Sequence, residues 1–191
     1  MYKLCKTEQS AKRQRELEQG LLAAMSTHQY EEISVSDLCD QMNIPRKSFY
    51  RYFSSKDGAL HALIDHTLLE YESFSIMDQL VEKRSYHTDL DRFFRFWKEQ
   101  KPLLDALARS GISGTLVTRS IDHAISDVGM PTRFLPQEEK LAREHATMFG
   151  VCGLMSMVLN WHQNGFRLSS SQMAAIAVEL LTKPIFGEQT N

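Results

Sequence analysis

The fold of this chain is decided by the stretch ISVSDLCDQMNIPRKSFYRYFSSKDGAL, which runs from Ile33 to Leu60. Ser34 is a typical helix N-cap, because its hydroxyl can accept a hydrogen bond from a backbone N–H in the first turn. Asp37 stands three residues later, where a capping-box carboxylate reaches back to the cap. The pattern therefore predicts a short helix over residues 35–42.

A sharp turn and a second short helix follow the first. Asn43 is predicted to make the turn, since asparagine is one of the few residues other than glycine that tolerates the left-handed backbone conformation. Pro45 suits the first turn of the next helix, where its missing N–H is not needed. That helix is predicted over residues 45–53, and the two short helices therefore form a helix-turn-helix unit.

Longer helices are predicted on both sides of this unit. The one before it spans about residues 7–28, where leucines and a methionine recur at a spacing of three and four residues. The one after it spans about residues 56–71, and Ser54 or Ser55 can cap it. The longer helices brace the two short ones.

The second short helix has two chemically different sides. At about 100° per residue, Phe49, Tyr52 and Phe53 fall on one side, where they can pack against the helix before. The opposite side carries Lys47, Tyr50 and Arg51, with Arg46 and Ser48 at its margins. These five residues are called here the basic arc. A major groove about 12 Å wide accepts one helix, so the basic arc predicts contacts to DNA phosphates and base edges.

Charge is distributed along the chain in blocks. Residues 1–15 carry five basic residues and one acid, whereas residues 16–41 carry six acids and no base. Four basic residues and no acid then lie between Asn43 and Lys56. The formal net charge of the whole chain is −2. This does not exclude DNA as a partner, because only the contacting face must be positive.

The stretch from Ile33 to Leu60 resembles the N-terminal DNA-binding domain of TetR-family transcriptional regulators. The likeness extends over about residues 10–70, and its most specific part is Tyr-x-Tyr-Phe-x-x-Lys, which ends at Lys56. The matching positions are Ser34, Leu38, Ile44, Phe49, Tyr50, Tyr52, Phe53, Lys56, Asp57 and Leu60. Three positions depart from the family pattern: Asn43 replaces the turn glycine, Pro45 a helix-opening serine, and Lys47 the glycine that follows it.

The resemblance and the basic arc together imply a set of DNA-binding residues. They are Ser34, Ser36, Pro45, Arg46, Lys47, Ser48, Tyr50, Tyr52 and Lys56. Lys56 is expected to contact a phosphate at the start of the next helix, where backbone amides also favour an anion. We expect the docking of the second short helix to depend most on Pro45 and Lys47, because neither fits the family pattern.

The rest of the chain is also predicted to be helical, so the fold class is all-α with about nine helices. The predicted division is a helix-turn-helix domain over residues 1–55, a connecting helix over residues 56–71, and a larger helical domain over residues 72–191. Within the last domain, a loop is predicted over residues 129–136 and a long helix over residues 137–162. Ser169 and Gln172 form a capping-box pattern that opens the final helix.

The resemblance implies that the larger domain binds a small-molecule ligand and forms a homodimer through its last two helices. Candidate ligand-pocket residues are Phe93, Phe94, Trp97, Met148, Phe149, Cys152 and Met155. Candidate dimer residues are Gly150, Gly153, Met157, Trp161, Met173, Ile176 and Leu180. Alternatives stay open at both places. A methionine and aromatic stripe at helical spacing is more often plain core, and glycines also serve packing within one subunit.

Composition narrows the compartment and the chemistry. The sequence has no run of about 18 apolar residues that would predict a membrane span, and no apolar segment of a secretory signal. Its three separated cysteines do not suggest a disulfide framework, which favours a reducing cytoplasm. The sequence shows no metal-ligand spacing, phosphate loop or nucleophile motif. We therefore predict a cytoplasmic protein that is not an enzyme and uses no metal or cofactor.

These observations lead to two hypotheses about function. The first is a transcriptional regulator, most often a repressor in this family, that binds a near-palindromic double-stranded operator as a homodimer and is released by a small molecule. The alternative is a helical interaction or adaptor protein with the same fold but without specific DNA binding. The departures at Pro45 and Lys47 motivate the alternative.

Overall fold

The computed structural model describes residues 1–79, 85–128 and 136–183. Regular structure within these ranges is helical, with nine α-helices, one short 3-10 helix and an isolated β-bridge. The predicted all-α fold class is therefore confirmed. The predicted loop over residues 129–136 lies outside the described residues except for Pro136.

The α-helices follow one another along the whole described chain. They are α1 (Glu8–Met25), α2 (Val35–Gln41), α3 (Arg46–Tyr50), α4 (Lys56–Gln79), α5 (Tyr86–Glu99), α6 (Lys101–Arg109), α7 (Ser113–Val128), α8 (Gln137–Gln163) and α9 (Ser170–Thr182). The 3-10 helix, Tyr30–Glu32, lies between α1 and α2. Two predicted lengths were wrong: α3 ends before Phe53, and α4 continues past residue 71.

The chain divides into two compact units. The first contains residues 1–69 and 102–119, and the second contains the described parts of residues 70–101 and 120–191. The first unit therefore includes most of α6 and the beginning of α7, which the contiguous domains predicted from the sequence assigned elsewhere. The predicted boundaries at residues 55 and 71, as limits of functional domains, stay a prediction.

The turn between α2 and α3 is built as the sequence predicts. Asn43 has a φ of 51°, and its N–H donates to the Asp40 carbonyl at 3.1 Å. The N–H of Ile44 donates to the Cys39 carbonyl at 2.9 Å. These two bonds form a Schellman motif, which satisfies carbonyls that the end of α2 would otherwise leave without partners.

The beginnings of α2 and α3 differ in how they are capped. Ser34 caps α2, because its Oγ accepts a hydrogen bond from the Asp37 N–H at 3.1 Å. Pro45 is the N-cap of α3 rather than its first residue, and it supplies no side-chain hydrogen bond. The Ser48 N–H donates to the Pro45 carbonyl at 2.8 Å. Helix α3 is therefore held at its start by backbone alone.

Each unit has its own aromatic core. In the first unit Phe49 and Phe53 are buried with their ring centroids 5.2 Å apart. In the second unit Phe94 packs edge-on against Trp161 at 5.7 Å, and the Trp161 indole N–H donates to the Leu168 carbonyl at 3.0 Å. Truncating a buried aromatic of this kind typically costs about 3–5 kcal/mol.

We predict that the backbone at residue 43 decides which substitution is tolerated there. Asn43→Gly should be about 1 kcal/mol more stable than Asn43→Ala, because a Cβ in the left-handed conformation meets the following carbonyl oxygen. Denaturant unfolding of both variants measures the difference. At an ordinary negative φ the order would reverse, since glycine loses more backbone entropy on folding. An Ala variant more stable than the Gly variant would therefore contradict the turn.

Candidate nucleic-acid interface

Helix α3 has the two-sided character that its sequence predicts. Phe49 is completely buried, and it turns toward the core of the first unit. On the opposite side Arg46, Lys47 and Arg51 are exposed, Ser48 is half-buried, and Tyr50 keeps 50% of its surface exposed. The helical period places Lys47 and Arg51 opposite residue 49 and leaves Arg46 and Ser48 at the margins of that side. The basic arc is therefore a surface of the first unit.

Tyr52 does not belong to this surface, which corrects its place among the predicted DNA-binding residues. Its side chain is only 7% exposed, and its ring lies 6.4 Å from that of Phe53. The Arg51 guanidinium lies 5.9 Å from the centroid of the Tyr52 ring. Its burial agrees with the helical period, which places Tyr52 on the same side as Phe49 and Phe53.

Lys56 has a structural role that its sequence position did not reveal. Its Nζ donates to the carbonyl of Ile33 at 2.7 Å and to the carbonyl of Tyr30, and it lies 4.2 Å from the centroid of the Tyr30 ring. Two of its three N–H groups thus hold the segment that leads into α2. The structure ties the first residue of α4 to the start of the helix-turn-helix unit.

Tyr30 fastens the same segment from the other side. Its hydroxyl donates to Asp57 at 2.7 Å, and its backbone N–H donates to the Ser110 hydroxyl at 2.9 Å. Burial and the hydrogen bond to Asp57 raise the pKa of Tyr30 above its ordinary value, so the phenol stays protonated at neutral pH. The stabilisation from this bond is complete below pH of about 10 and is lost only as the phenol ionises above it.

The remaining predicted contacts lie around the start of α2 and α3. Ser34 is exposed, but its hydroxyl is engaged with Asp37, whose carboxylate accepts from it at 2.5 Å. Ser36 is half-buried, and Pro45 is exposed at the beginning of α3. The exposed members that carry charge or a hydroxyl are therefore concentrated on α3 itself.

A groove beside α3 adds basic residues that the predicted set omitted. It has a volume of about 540 Å³ and is lined by Gln9, Ser10, Lys12, Arg13, Glu16, Arg51 and Tyr52. Arg13 pairs with Glu16 at 2.7 Å, an exposed ion pair that contributes little to stability. The groove brings the basic block of residues 1–15 beside the basic arc. The charge pattern pointed to both blocks but not to their contact.

The seven predicted pocket residues are divided between core and surface of the second unit. Phe93, Phe94, Trp97 and Met155 are buried, and the Trp97 indole nitrogen is a buried donor that finds no hydrogen-bond partner among the described residues. Cys152 is half-buried, Phe149 is 70% exposed and Met148 is 39% exposed. Met148 lies two turns before Met155 on the same face of α8, whereas Phe149 lies off that face. A ligand pocket that includes these two residues stays a prediction.

The predicted dimer residues are divided in the same way. A shallow groove of about 120 Å³ between α8 and α9 is lined by Phe149, Gly150, Gly153, Leu154, Met157, Ala177, Leu180 and Leu181. Ile176 is also exposed, at 41%. Trp161 and Met173 are 3% and 6% exposed, so both belong to the core of their own subunit rather than to an interface. The groove residues stay candidates, with Phe149 added to them.

Two further searches covered only the ranges that the structure describes. There, no helix combines the length and the apolar character needed to cross a lipid bilayer. The same ranges contain no group of three His, Cys, Asp or Glu residues placed to hold a metal ion.

Comparisons with known proteins agree with this geometry. Residues 21–63 match the family described as bacterial regulatory proteins, tetR family. A search of curated proteins found no significant match. The fold is similar to that of the dihydroxyacetone kinase operon activator DhaS, with a TM-score of 0.53 and 16% identity over 88% of this chain and 93% of that one.

Two further solved structures are similar. The fatty acid degradation regulator FadR from Bacillus halodurans gives a TM-score of 0.53 and 15% identity over 93% of this chain and 96% of that chain. A tetR-family transcriptional regulator from Streptomyces coelicolor gives a TM-score of 0.48 and 20% identity, over 88% and 78% of the two chains. At such low identity the likeness to DhaS and FadR establishes a shared fold.

Two lysine variants should separate structural from surface charge in this region. We expect Lys56→Met to lower the free energy of unfolding by about 1–3 kcal/mol, because it removes both hydrogen bonds to buried carbonyls. Lys47→Met, the matched control on the exposed arc, should change stability by less than about 0.5 kcal/mol. Chemical denaturation measures both. Equal stabilities for the two variants would contradict the role given to Lys56.

Proposed function

We propose that this chain, a TetR-family bacterial regulatory protein by its N-terminal domain, is a homodimeric regulator that reads a DNA operator with two copies of α3. The observation that carries the proposal is the exposed basic arc on a helix whose other side is buried in the core. A helix anchored in this way can enter a major groove without unpacking the domain.

Two kinds of contact are proposed for the basic arc. Arg46 and Lys47 are exposed at the first turn of α3 and can neutralise phosphates or bond guanine edges. The half-exposed hydroxyl of Tyr50 suits a phosphate oxygen. The neighbouring groove offers Lys12 and Arg13 to the DNA backbone on one flank. Each neutralised phosphate should make the logarithm of affinity fall with the logarithm of salt concentration by a slope of about 0.9.

The proposed dimer uses the surface groove between α8 and α9. Phe149, Leu180 and Leu181 line this groove and expose 70%, 43% and 52% of their surfaces. Large apolar side chains clustered on a surface mark contacts with another macromolecule. A second copy of the chain would cover them and place two α3 helices about 34 Å apart, one turn of DNA. The operator would then be near-palindromic.

Repression relieved by a small molecule is the proposed mode of control, in the cytoplasm. The support is the family resemblance, and release requires only that the ligand binds the DNA-free conformation more tightly. One structural neighbour is named an operon activator, so transcription should be measured in both directions. The described part of the chain gives no indication of an enzymatic reaction, and the proposed regulation does not require one.

The alternative function is an interaction or adaptor protein without specific DNA binding. The observation that favours it is the form of α3, which has five residues and a proline N-cap without a side-chain hydrogen bond. A reading helix of this length offers few positions to a groove. The alternative predicts weak binding to any duplex and no preferred sequence.

Selection from a random oligonucleotide pool distinguishes the two functions. We expect the wild-type protein to enrich a near-palindromic sequence with half-sites one helical turn apart. Tyr50→Phe should then weaken binding to that sequence by about 1–2 kcal/mol, the scale of a hydrogen bond to a charged group. Tyr86→Phe, which changes an exposed tyrosine of α5, is the control. A pool without enrichment would support the adaptor instead.

A charge placed on the α8/α9 groove should break the dimer. Leu180→Glu puts a carboxylate into a surface that dimerisation would desolvate, so we expect monomers at micromolar concentration in sedimentation experiments. Leu141→Glu is the matched control, since this leucine is 51% exposed on α8 but does not line the groove. A Leu180→Glu variant that sediments like the wild type would remove this groove as the interface.

A further inference from the structure

The first five residues, Met1–Cys5, form an extended strap on the first unit. The Lys3 N–H donates to the carbonyl of Tyr52 at 3.0 Å, and the Ser54 N–H donates to the carbonyl of Met1 at 3.1 Å. The Ser54 hydroxyl donates to the same Met1 carbonyl at 2.7 Å. The strap therefore pairs with the short segment that connects α3 to α4.

Tyr2 fastens the strap to α4 as well as to the segment that connects α3 to α4. Its backbone forms an antiparallel bridge with Phe53, one of the two rings that anchor α3. Its hydroxyl donates to Asp65 Oδ2 at 2.8 Å. Asp65 also accepts from Arg119, with 2.8 Å between Arg119 Nε and Asp65 Oδ1. The carboxylate is thereby oriented by a guanidinium on one side while it holds the phenol on the other.

The surroundings of Tyr2 keep this bond formed at neutral pH. Burial and the hydrogen bond to Asp65 raise the pKa of Tyr2 to about 12, so its phenol remains a donor. The Tyr2 ring packs edge-on against His66 at 5.8 Å. His66 in turn lies 2.9 Å from the carboxylate of Glu18, a completely buried residue of α1. The Tyr2 side chain thus connects the strap to the polar groups of Asp65, His66 and Glu18 inside the first unit.

Gly58 leaves room for the strap at the start of α4. A Cβ at this position would lie 2.6 Å from the Met1 carbonyl oxygen and 3.1 Å from its carbonyl carbon. These are backbone atoms, so a side chain at residue 58 would displace either the strap or the first turn of α4. The close approach indicates that the strap is part of the packed unit rather than a loose end.

Helix α3 needs such external support. Isolated helices of fewer than about 12 residues are marginal in water, and α3 has five residues without a side-chain cap. Its direction is therefore set by Phe49, Phe53 and whatever holds the segment after Tyr52. The strap bonds that segment directly. An error in the direction of α3 would misalign the basic arc with base edges while leaving its charge unchanged.

We propose that the strap is a positioning element for α3, and that the hydrogen bond from Tyr2 to Asp65 is the latch that holds it. The inference rests on the proposed DNA-binding function and adds residues outside the helix-turn-helix unit to it. Tyr2 acts through Phe53 and does not touch DNA. Its loss should therefore lower sequence-specific affinity, which depends on alignment, and spare non-specific affinity, which depends on charge.

The first test is Tyr2→Phe, which keeps the ring and removes the latch. Binding is measured to the selected operator and to an unrelated duplex over a range of salt concentrations. We expect operator affinity to fall about tenfold, the effect of one hydrogen bond to a charged group, with unchanged non-specific affinity and salt slope. Tyr86→Phe is again the matched control and should bind both duplexes like the wild type.

The second test displaces the strap without touching Tyr2. Gly58→Ala should raise helix propensity in α4 and yet lower operator affinity, because its methyl group collides with Met1. Gly114→Ala is the matched control, since a Cβ at this glycine of α7 meets no atom within 4 Å. Amide hydrogen exchange at Lys3 and Ser54 reports whether the strap has been released. A loss of operator affinity with unchanged non-specific affinity and salt slope, together with faster exchange at Lys3 and Ser54, would support positioning.

The outcomes separate this proposal from the proposed function. If the wild type enriches no operator, DNA reading fails and the strap proposal fails with it. If the wild type enriches an operator and both variants bind it equally well, the strap proposal alone is overturned. A parallel loss of specific and non-specific affinity with a smaller salt slope also overturns it, because the strap would then contact phosphates itself.

Discussion

The burial of Phe49 and Phe53 is the interaction on which the rest of the N-terminal unit depends. A helix of five residues does not hold its own shape, so its direction comes from side chains that leave it for the core. Two rings 5.2 Å apart supply that direction. The Schellman turn at Asn43 lies before α3, and the strap contacts the segment after it. Together they hold both ends of a helix whose side chains already bind it to the core.

Local chemistry explains why several elements could be predicted from the sequence. The caps at Ser34 and Ser169 and the turn at Asn43 involve partners within five residues, and all three occur as predicted. The all-α class and the two sides of α3 follow from the helical period, which is also a local property. The family resemblance rests on the same short stretch, and residues 21–63 match the family.

Partners that are distant in the sequence explain the errors. The ammonium of Lys56 meets carbonyls more than twenty residues away, which no spacing within α4 indicates. Tyr52 is an exception, because the helical period already places it on the buried side with Phe49 and Phe53. In the second unit the periodicity of α8 identified apolar faces but not their neighbours, so Trp161 was assigned to an interface although its own chain buries it. An apolar stripe indicates that one face of a helix is buried, but it does not indicate which residues bury that face.

The separation of the two sides of α3 has a consequence for how such a protein can change. Arg46 and Lys47 are exposed, whereas Phe49 on the same short helix is completely enclosed. Substitutions on the outer side therefore leave the folding free energy nearly constant. A gene lineage could explore new target sequences through these positions one at a time, with every intermediate still folded, while the enclosed ring remains under constant purifying constraint.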